Sequence, residues 1–398
     1  MPYSGKAVVA IALIAAIVAG GIVFTLTTTP VAVVEKPGLP DTIKIGHVLP
    51  KSGPLAAYAE GFANGVKLAV MEINEKGGIA GRKVELIEED SGTDPVKAAE
   101  AARKLIDVQG VKVIIGAYAS SSTLAIAPIA EESKVVLISP ASTSPQITGA
   151  GDYIFRVVPS DAYQGRALAE IALKLGFKTA ATIAINNPYG IGIEETFKKV
   201  FEAGGGKVIL TIRYELGRPT YKTELEQIRA ANPDVIVDVS YADDGQIIFR
   251  EAKELGIKAK WLAAEGIADP AIFKAPGVAE ATQGMIATKP RTPKSPASEH
   301  FLALYKEKFG KEPGIYADYA YDATKMALLA IAMAGKYDGT AIKDALYFVG
   351  TLYKAATGDK TFDANGDVKG EYEILRVKGN EFIPIGYWTP DEGVKMEK

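Results

Sequence analysis

From residue 42 onward the chain alternates short runs rich in Val and Ile with longer amphipathic stretches, and it does so twice. IKIGHVLP, VELIEED, VKVIIGA, VVLISP and YIFRVVP read as strands, with helical segments around 60–75, 95–108 and 122–132 between them. The rhythm restarts with a helix near 161–175, after which TAATIAI, GKVILTIRY, DVIVDVS and KAKWLAA read as strands. Unbroken apolar runs mark strands buried on both faces, as in parallel sheets covered by helices. Parallel neighbours need crossover helices, so the pattern predicts an α/β protein of two successive units, each a mostly parallel sheet flanked by helices. At 398 residues the chain has room for both.

Later stretches break the rhythm. SEHFLALYKEKFG and YADYAYDATKMALLAIAMAG, about 298–310 and 316–335, predict a helical pair, and KTFDANGDV with EYEILRVKG an antiparallel hairpin. DANGD resembles part of a calcium loop, but Val368 stands where the sharp-turn glycine belongs and no acidic residue occupies the twelfth position, so a turn is expected.

The amino terminus is of another kind. Residues 7 to 26, AVVAIALIAAIVAGGIVFTL, carry no charge, and about 20 such residues suffice to cross a bilayer as a helix. Lys6 and the terminal amine precede the run, which places the remainder outside the cytoplasm. With no cysteine in the chain, a lipid anchor on an amino-terminal Cys and disulfides are both excluded. Residues 1–26 are therefore expected to be a membrane anchor, with a cleaved signal as the alternative, and the Pro- and Thr-rich residues 27–41 an extended stalk.

Several chemistries are excluded. The 45 basic and 48 acidic residues are well mixed, so no basic stripe invites nucleic acid. The two histidines, His47 and His300, form no metal-ligand cluster, and no P-loop, G-x-G-x-x-G or G-x-S-x-G occurs. The serines of ASSST have no base assigned to them by the sequence, so an enzyme is not expected, nor a cofactor.

Two hydroxyl-rich loops stand out instead: GAYASSST at 116–123 and ISPASTSP at 138–145. Each follows a buried strand, which places each at a strand's carboxyl end, the edge where α/β sheets bind ligands. The helix after each would direct free N–H groups at anything negative held there. Helix capping by Ser and Thr is the competing reading.

The stretch from IKIGHVLPKSGP to AAEAARKLI, continued through IIGAYASSST, ISPASTSP, NNPYGIG at 186–192, SYADDGQ at 240–246 and LAAEGIADP at 262–270, resembles the extracytoplasmic Leu/Ile/Val-binding proteins of branched-chain amino acid ABC transporters. The likeness covers about residues 42–390. It implies a type I periplasmic-binding-protein fold of two lobes, 42–158 plus 290–358 and 159–289 plus 359–398. The three crossings would fall near Pro159, near Lys289 and Pro290, and near Gly358 to Lys360. It further implies a monomer that captures an amino acid between the lobes and delivers it to ABC transporter permease subunits.

By the same resemblance, Ser120 and the backbone near Ala119 would hold the ligand's carboxylate. The backbones of Ala141 and Ser142 and the hydroxyl of Thr143 would serve both of its charged groups. Glu265 would pair with the ammonium; Asp243 and Asp244 are a second acidic option, read as a solvated turn. Tyr58 would stand beside the side-chain pocket, and Tyr189 and Tyr241 would close over the ligand from the second lobe. Tyr58 where tryptophan is common, and Ala119 before the serines, depart from the best-known members, leaving the pocket's size open. A sensor of the same fold, acting through a partner protein, is the alternative function.

Overall fold

The computed structural model describes residues 38–397. The anchor expected over 1–26, and the stalk as far as residue 37, lie outside the described residues. Gly38 and Leu39 belong to the folded body rather than to a stalk: the Gly38 carbonyl accepts from Tyr337 N–H at 2.8 Å, and Leu39 is buried. Among the described residues no helix is long and apolar enough to cross a membrane.

The first sheet runs β2 (Lys83–Asp90), β1 (Thr42–Leu49), β3 (Val113–Ile115), β4 (Val136–Ser139), β5 (Ile154–Arg156), all parallel. Helices α1 (Ala59–Glu75), α2 (Pro95–Arg103) and α3 (Ser120–Glu132) make its crossovers. α1 turns Phe62, Val66, Ala69 and Val70 inward, the spacing of one helical face. Asp94 starts α2 by accepting from the N–H groups of Val96 and Lys97, with Pro95 in the position that needs no donor.

α4 (Asp161–Lys174) opens the second lobe. There β6 (Thr179–Ile185), β7 (Lys207–Tyr214), β8 (Val235–Val239), β9 (Lys260–Ala263) and β10 (Ile286–Pro290) are parallel, separated by α5 (Pro188–Ala203), α6 (Lys222–Ala231) and α7 (Ala242–Glu254). β11 (Tyr372–Lys378), β12 (Glu381–Thr389) and β13 (Gly393–Met396) extend this sheet antiparallel, giving the order β13-β12-β11-β10-β9-β8-β6-β7. Between β10 and β11 the chain returns to the first lobe. α8 (Pro296–Phe309) and α9 (Ala317–Ala334) pack on α1, and α10 (Gly339–Leu352), an element the sequence reading did not name, packs on β4.

Two expectations are corrected. EYEILRVKG pairs with the segment after it, from Tyr372↔Trp388 to Lys378↔Glu381, and not with KTFDANGDV. The latter's backbone is already engaged. The Asp363 carboxylate accepts from the N–H groups of Asn365 and Asp367, closing the expected turn, and the Gly366 carbonyl accepts from Arg156 N–H. Since Phe362 also packs edge-on to Phe155 of β5, residues 361–368 stay with the first lobe. The last crossing therefore falls between Val368 and Tyr372, beyond Gly358 to Lys360.

Candidate functional site

The carboxyl ends of both sheets face one cavity of about 40 Å³. Leu55, Tyr58, Phe62, Tyr118, Ser120 and Ala141 line it from the first lobe, Tyr189, Tyr241, Glu265 and Gly266 from the second, and Ile315 and Tyr316 from the turn into α9. Six residues singled out in the sequence thus meet here: Tyr58, Ser120, Ala141, Tyr189, Tyr241 and Glu265.

Ser120 is the first residue of α3, and Ala119 is its extended N-cap, with no side chain to occupy the helix's free N–H groups. The Ser120 hydroxyl accepts from Ser144 N–H at 3.1 Å, which ties the two hydroxyl-rich loops together. In the second loop the N–H groups of Ala141 and Ser142 are turned onto Ser139 Oγ, at 3.4 and 2.9 Å. The Ser142 hydroxyl meets Thr123 Oγ1 at 2.7 Å and donates to the Ala117 carbonyl at 3.2 Å. The Ser142 hydroxyl therefore braces the loop, while Ala141 lines the cavity. Thr143 keeps a free hand. Its carbonyl accepts from Asp161 N–H at 2.7 Å and from Arg156 Nη1 at 2.9 Å, while its hydroxyl is buried with no protein partner.

The acidic side is more heavily charged than the sequence suggested. Glu265, in the turn after β9, is buried, and its Oε2 has no protein donor. Burial raises its carboxyl to about 7, although Gln164, Tyr189 and Tyr316 favour its charged form. Asp161, the first residue of α4, is fully buried, and no donor closes a full hydrogen bond on either oxygen, although the Thr143 hydroxyl lies near enough to favour its charged form. Its carboxyl is raised well above the usual range, first by burial and next by the charge of Glu265.

Aromatic rings complete the enclosure. Tyr189 and Tyr241 stack with centroids 5.5 Å apart and planes 10° from parallel. The Tyr189 hydroxyl accepts from Gly266 N–H at 3.2 Å, and the Tyr58 hydroxyl donates to the Gly266 carbonyl at 3.0 Å, bridging the lobes.

Asp161, Tyr118 and Tyr316 were missed in the sequence. For Asp161 a signal existed: PSDAYQG follows the apolar strand YIFRVV and opens a helix, the arrangement that drew attention to the serine loops. Asp243 is exposed as expected, but Asp244 is not solvated. It is buried, accepting from the Tyr221 hydroxyl and from Gly217 N–H, which makes it a brace within the second lobe.

The arrangement can hold a small molecule with a positive group between Asp161 and Glu265, a negative group at the start of α3, and an apolar remainder among the rings. No cluster of His, Asp or Glu suited to a metal ion occurs among the described residues.

The model of the family described as periplasmic binding protein matches residues 42–381. The leucine-, isoleucine-, valine-, threonine-, and alanine-binding protein of Pseudomonas aeruginosa is 31% identical over 332 residues, 83% of this chain and 88% of that one. The crystal structure of a leucine-binding protein from Thermotoga maritima superposes with a TM-score of 0.82 at 32% identity, covering 88% of this chain and 100% of that one. An ABC-transporter solute-binding protein of Rhodopseudomonas palustris, in complex with 3,4-dihydroxybenzoic acid, gives a TM-score of 0.77 at 27% identity, covering 90% and 99%.

Proposed function

The chain belongs to the periplasmic binding protein family, and from that premise we propose that it captures an α-amino acid between its lobes, outside the cytoplasm, and hands it to the permease of an ABC importer. Relatives are named for amino acids and for an aromatic acid, and the two ligand classes make opposite demands on charge. The observation that supports the amino-acid reading is the pair of buried carboxyls, Asp161 and Glu265, three of whose oxygens have no protein donor. Burying charge without a partner costs several kcal/mol per ion. An ammonium offers three donors and a positive charge to the pair, whereas a benzoate-type ligand brings no cation to it.

In this reading the ammonium sits between Asp161, Glu265 and the Thr143 hydroxyl. The carboxylate lies at the amino terminus of α3, against the backbone N–H groups from Ser120 onward. Tyr58, Tyr189 and Tyr241 shield both from water, which strengthens charge-assisted hydrogen bonds. Residues 7–26 tether the body to the membrane.

A thermal-shift screen against amino acids, hydroxybenzoates and short-chain acids tests the reading. A ligand at about 100 times its dissociation constant adds roughly 2.7 kcal/mol of stability. Amino acids should raise the melting temperature, and a response to aromatic acids alone would overturn the proposal.

A further inference from the structure

Tyr118 and His47 have no role in the scheme above, yet together they fix one wall of the cavity. His47, in β1, is fully buried, with Nε2 2.8 Å from the Tyr118 hydroxyl and Nδ1 3.2 Å from Glu88 Oε1. Glu88 in turn faces Lys51 and Lys67, each 3.6 Å from its Oε2. Burial lowers the pKa of His47, so near neutral pH the ring is uncharged, donating from one nitrogen and accepting at the other. The Glu88 carboxylate only accepts, which assigns the proton to Nδ1 and leaves Nε2 to accept from Tyr118.

This chain of bonds draws the Tyr118 hydroxyl back into the sheet, so the tyrosine offers the cavity carbon instead of oxygen. Its ring stacks on Phe62, centroids 4.1 Å apart and planes 13° from parallel, and Phe62 leans on Tyr58 at 6.2 Å. The stack on Phe62 and the tether on its hydroxyl both oppose rotation of Tyr118 away from a larger ligand. The cavity that Phe62 and Tyr118 line is small, about 40 Å³, so a longer ligand side chain must press against this stack.

We propose that His47 is a positioning residue that pins the Tyr118–Phe62 stack, and that this stack sets an upper limit on the ligand's side chain, so that the site prefers an amino acid with a short aliphatic side chain, such as alanine, over leucine or phenylalanine. The inference rests on the amino-acid reading above and narrows it. One methylene more or less in an apolar pocket changes affinity about 10- to 200-fold, which is the scale of discrimination expected.

Calorimetry of the full chain in detergent, titrated with alanine, leucine and phenylalanine, tests it. Wild type should bind alanine at least tenfold more tightly than leucine. Tyr118→Leu should reverse that preference, and Tyr118→Phe and His47→Val, which cut the tether from either end, should shrink it. His47→Gln, whose amide oxygen can accept from the hydroxyl, should restore it, and this variant with Tyr118→Phe carries the test if Tyr118→Leu does not fold. A purely structural role would weaken all three amino acids alike; an unchanged alanine-to-leucine ratio in these variants, or a wild-type preference for leucine, overturns the inference and leaves the amino-acid reading standing. No heat from any of the three in wild type removes both.

Discussion

Asp161 and Glu265 come from different parts of the second lobe, the first turn of α4 and the turn after β9; both are buried, and the charge of Glu265 acts on Asp161. Like charges held so close in a dry site oppose each other's ionisation, so the ligand-free protein binds a proton that its unfolded chain does not.

That proton makes stability depend on pH. Glu265 ordinarily titrates at 4.5 and is raised to about 7 by burial. From about 4.5 to about 7 the native state keeps a proton the unfolded chain has lost. The contribution of Glu265 is complete below that window and gone above it, and the raised carboxyl of Asp161 acts in the same direction, so unliganded stability should fall as pH rises. A bound ammonium favours both charged carboxylates, so binding should expel protons and tighten as pH rises toward 7 and beyond. Melting temperatures measured from pH 5 to 8 with and without ligand check both slopes. Glu265→Gln should flatten them, and an unliganded wild type insensitive to pH would contradict the paired-acid picture.

Binding should report the same pair by mutation. Glu265→Ala should weaken amino-acid affinity by about 2 to 5 kcal/mol, because the ammonium loses a desolvated partner. Thr143→Ala should cost less, about 1 to 3 kcal/mol. Asp161→Asn keeps the shape and removes one charge, and should fall nearer to Glu265→Ala. Calorimetry that finds Asp161→Asn silent would return the whole burden of the ammonium to Glu265.

The loop bearing Thr143 depends on Arg156. Its guanidinium, fully buried, donates to the carbonyls of Thr143 and Ser144 at 2.9 and 2.8 Å and pairs with Asp367 at 2.6 Å. Arg156→Ala would leave Asp367 without its cation and strip the Ser144 carbonyl of its donor, while the Thr143 carbonyl would keep Asp161 N–H, a loss of about 3 to 5 kcal/mol. Denaturant melts should show a lower midpoint at an unchanged slope, and a loss below about 1 kcal/mol would mean that water replaces the guanidinium.

What was legible in the sequence follows from what is local. The alternation of IKIGHVL, VKVII and TAATIAI with amphipathic segments announced buried parallel strands, because burial on both faces leaves a period-free apolar run. Ser120 drew attention because a hydroxyl-rich loop follows its strand, and Glu265 because LAAEGIADP resembles the family; the structure brings both to the cavity wall. The bracing by the Ser142 hydroxyl was not legible, because its partners Thr123 and Ala117 lie in the other loop and nothing in ISPASTSP says which hydroxyl turns toward them. Asp161 was passed over because an Asp at a helix start is ordinarily a cap; only the approach of Glu265 makes it part of a site. KTFDANGDV was paired wrongly because its backbone is engaged by Arg156, a residue remote in sequence.

The apolar run at 7–26 should hold the protein on membranes. Full-length protein from its own host is expected to pellet with membranes, resist high salt and retain its first residues by mass spectrometry. A soluble form beginning near Thr27 or later would show a cleaved signal in its place.

The remaining prediction concerns closure of the cleft. Ser120 and Thr143 belong to the first lobe, whereas Asp161, Glu265, Tyr189 and Tyr241 belong to the second, so a ligand can engage both sets only when the lobes meet. Such a ligand favours the closed state by the difference in its affinity for the two. At the meeting surface Gly192 of α5 lies so near Pro145 that a Cβ there would fall 2.4 Å from the proline ring. Gly192 sits inside a helix, where alanine is the better former by about 1 kcal/mol, so Gly192→Ala should leave the second lobe folded, or even steady it, while wedging the lobes apart. Ligand affinity should then drop about tenfold or more with no loss of melting temperature in the unliganded protein. Small-angle scattering on residues 38–398 should show wild type becoming more compact at one ligand per chain, and Gly192→Ala remaining open at the same ligand concentration. Equal affinities and identical scattering curves for the two proteins would falsify the clamp and leave a preformed, static site.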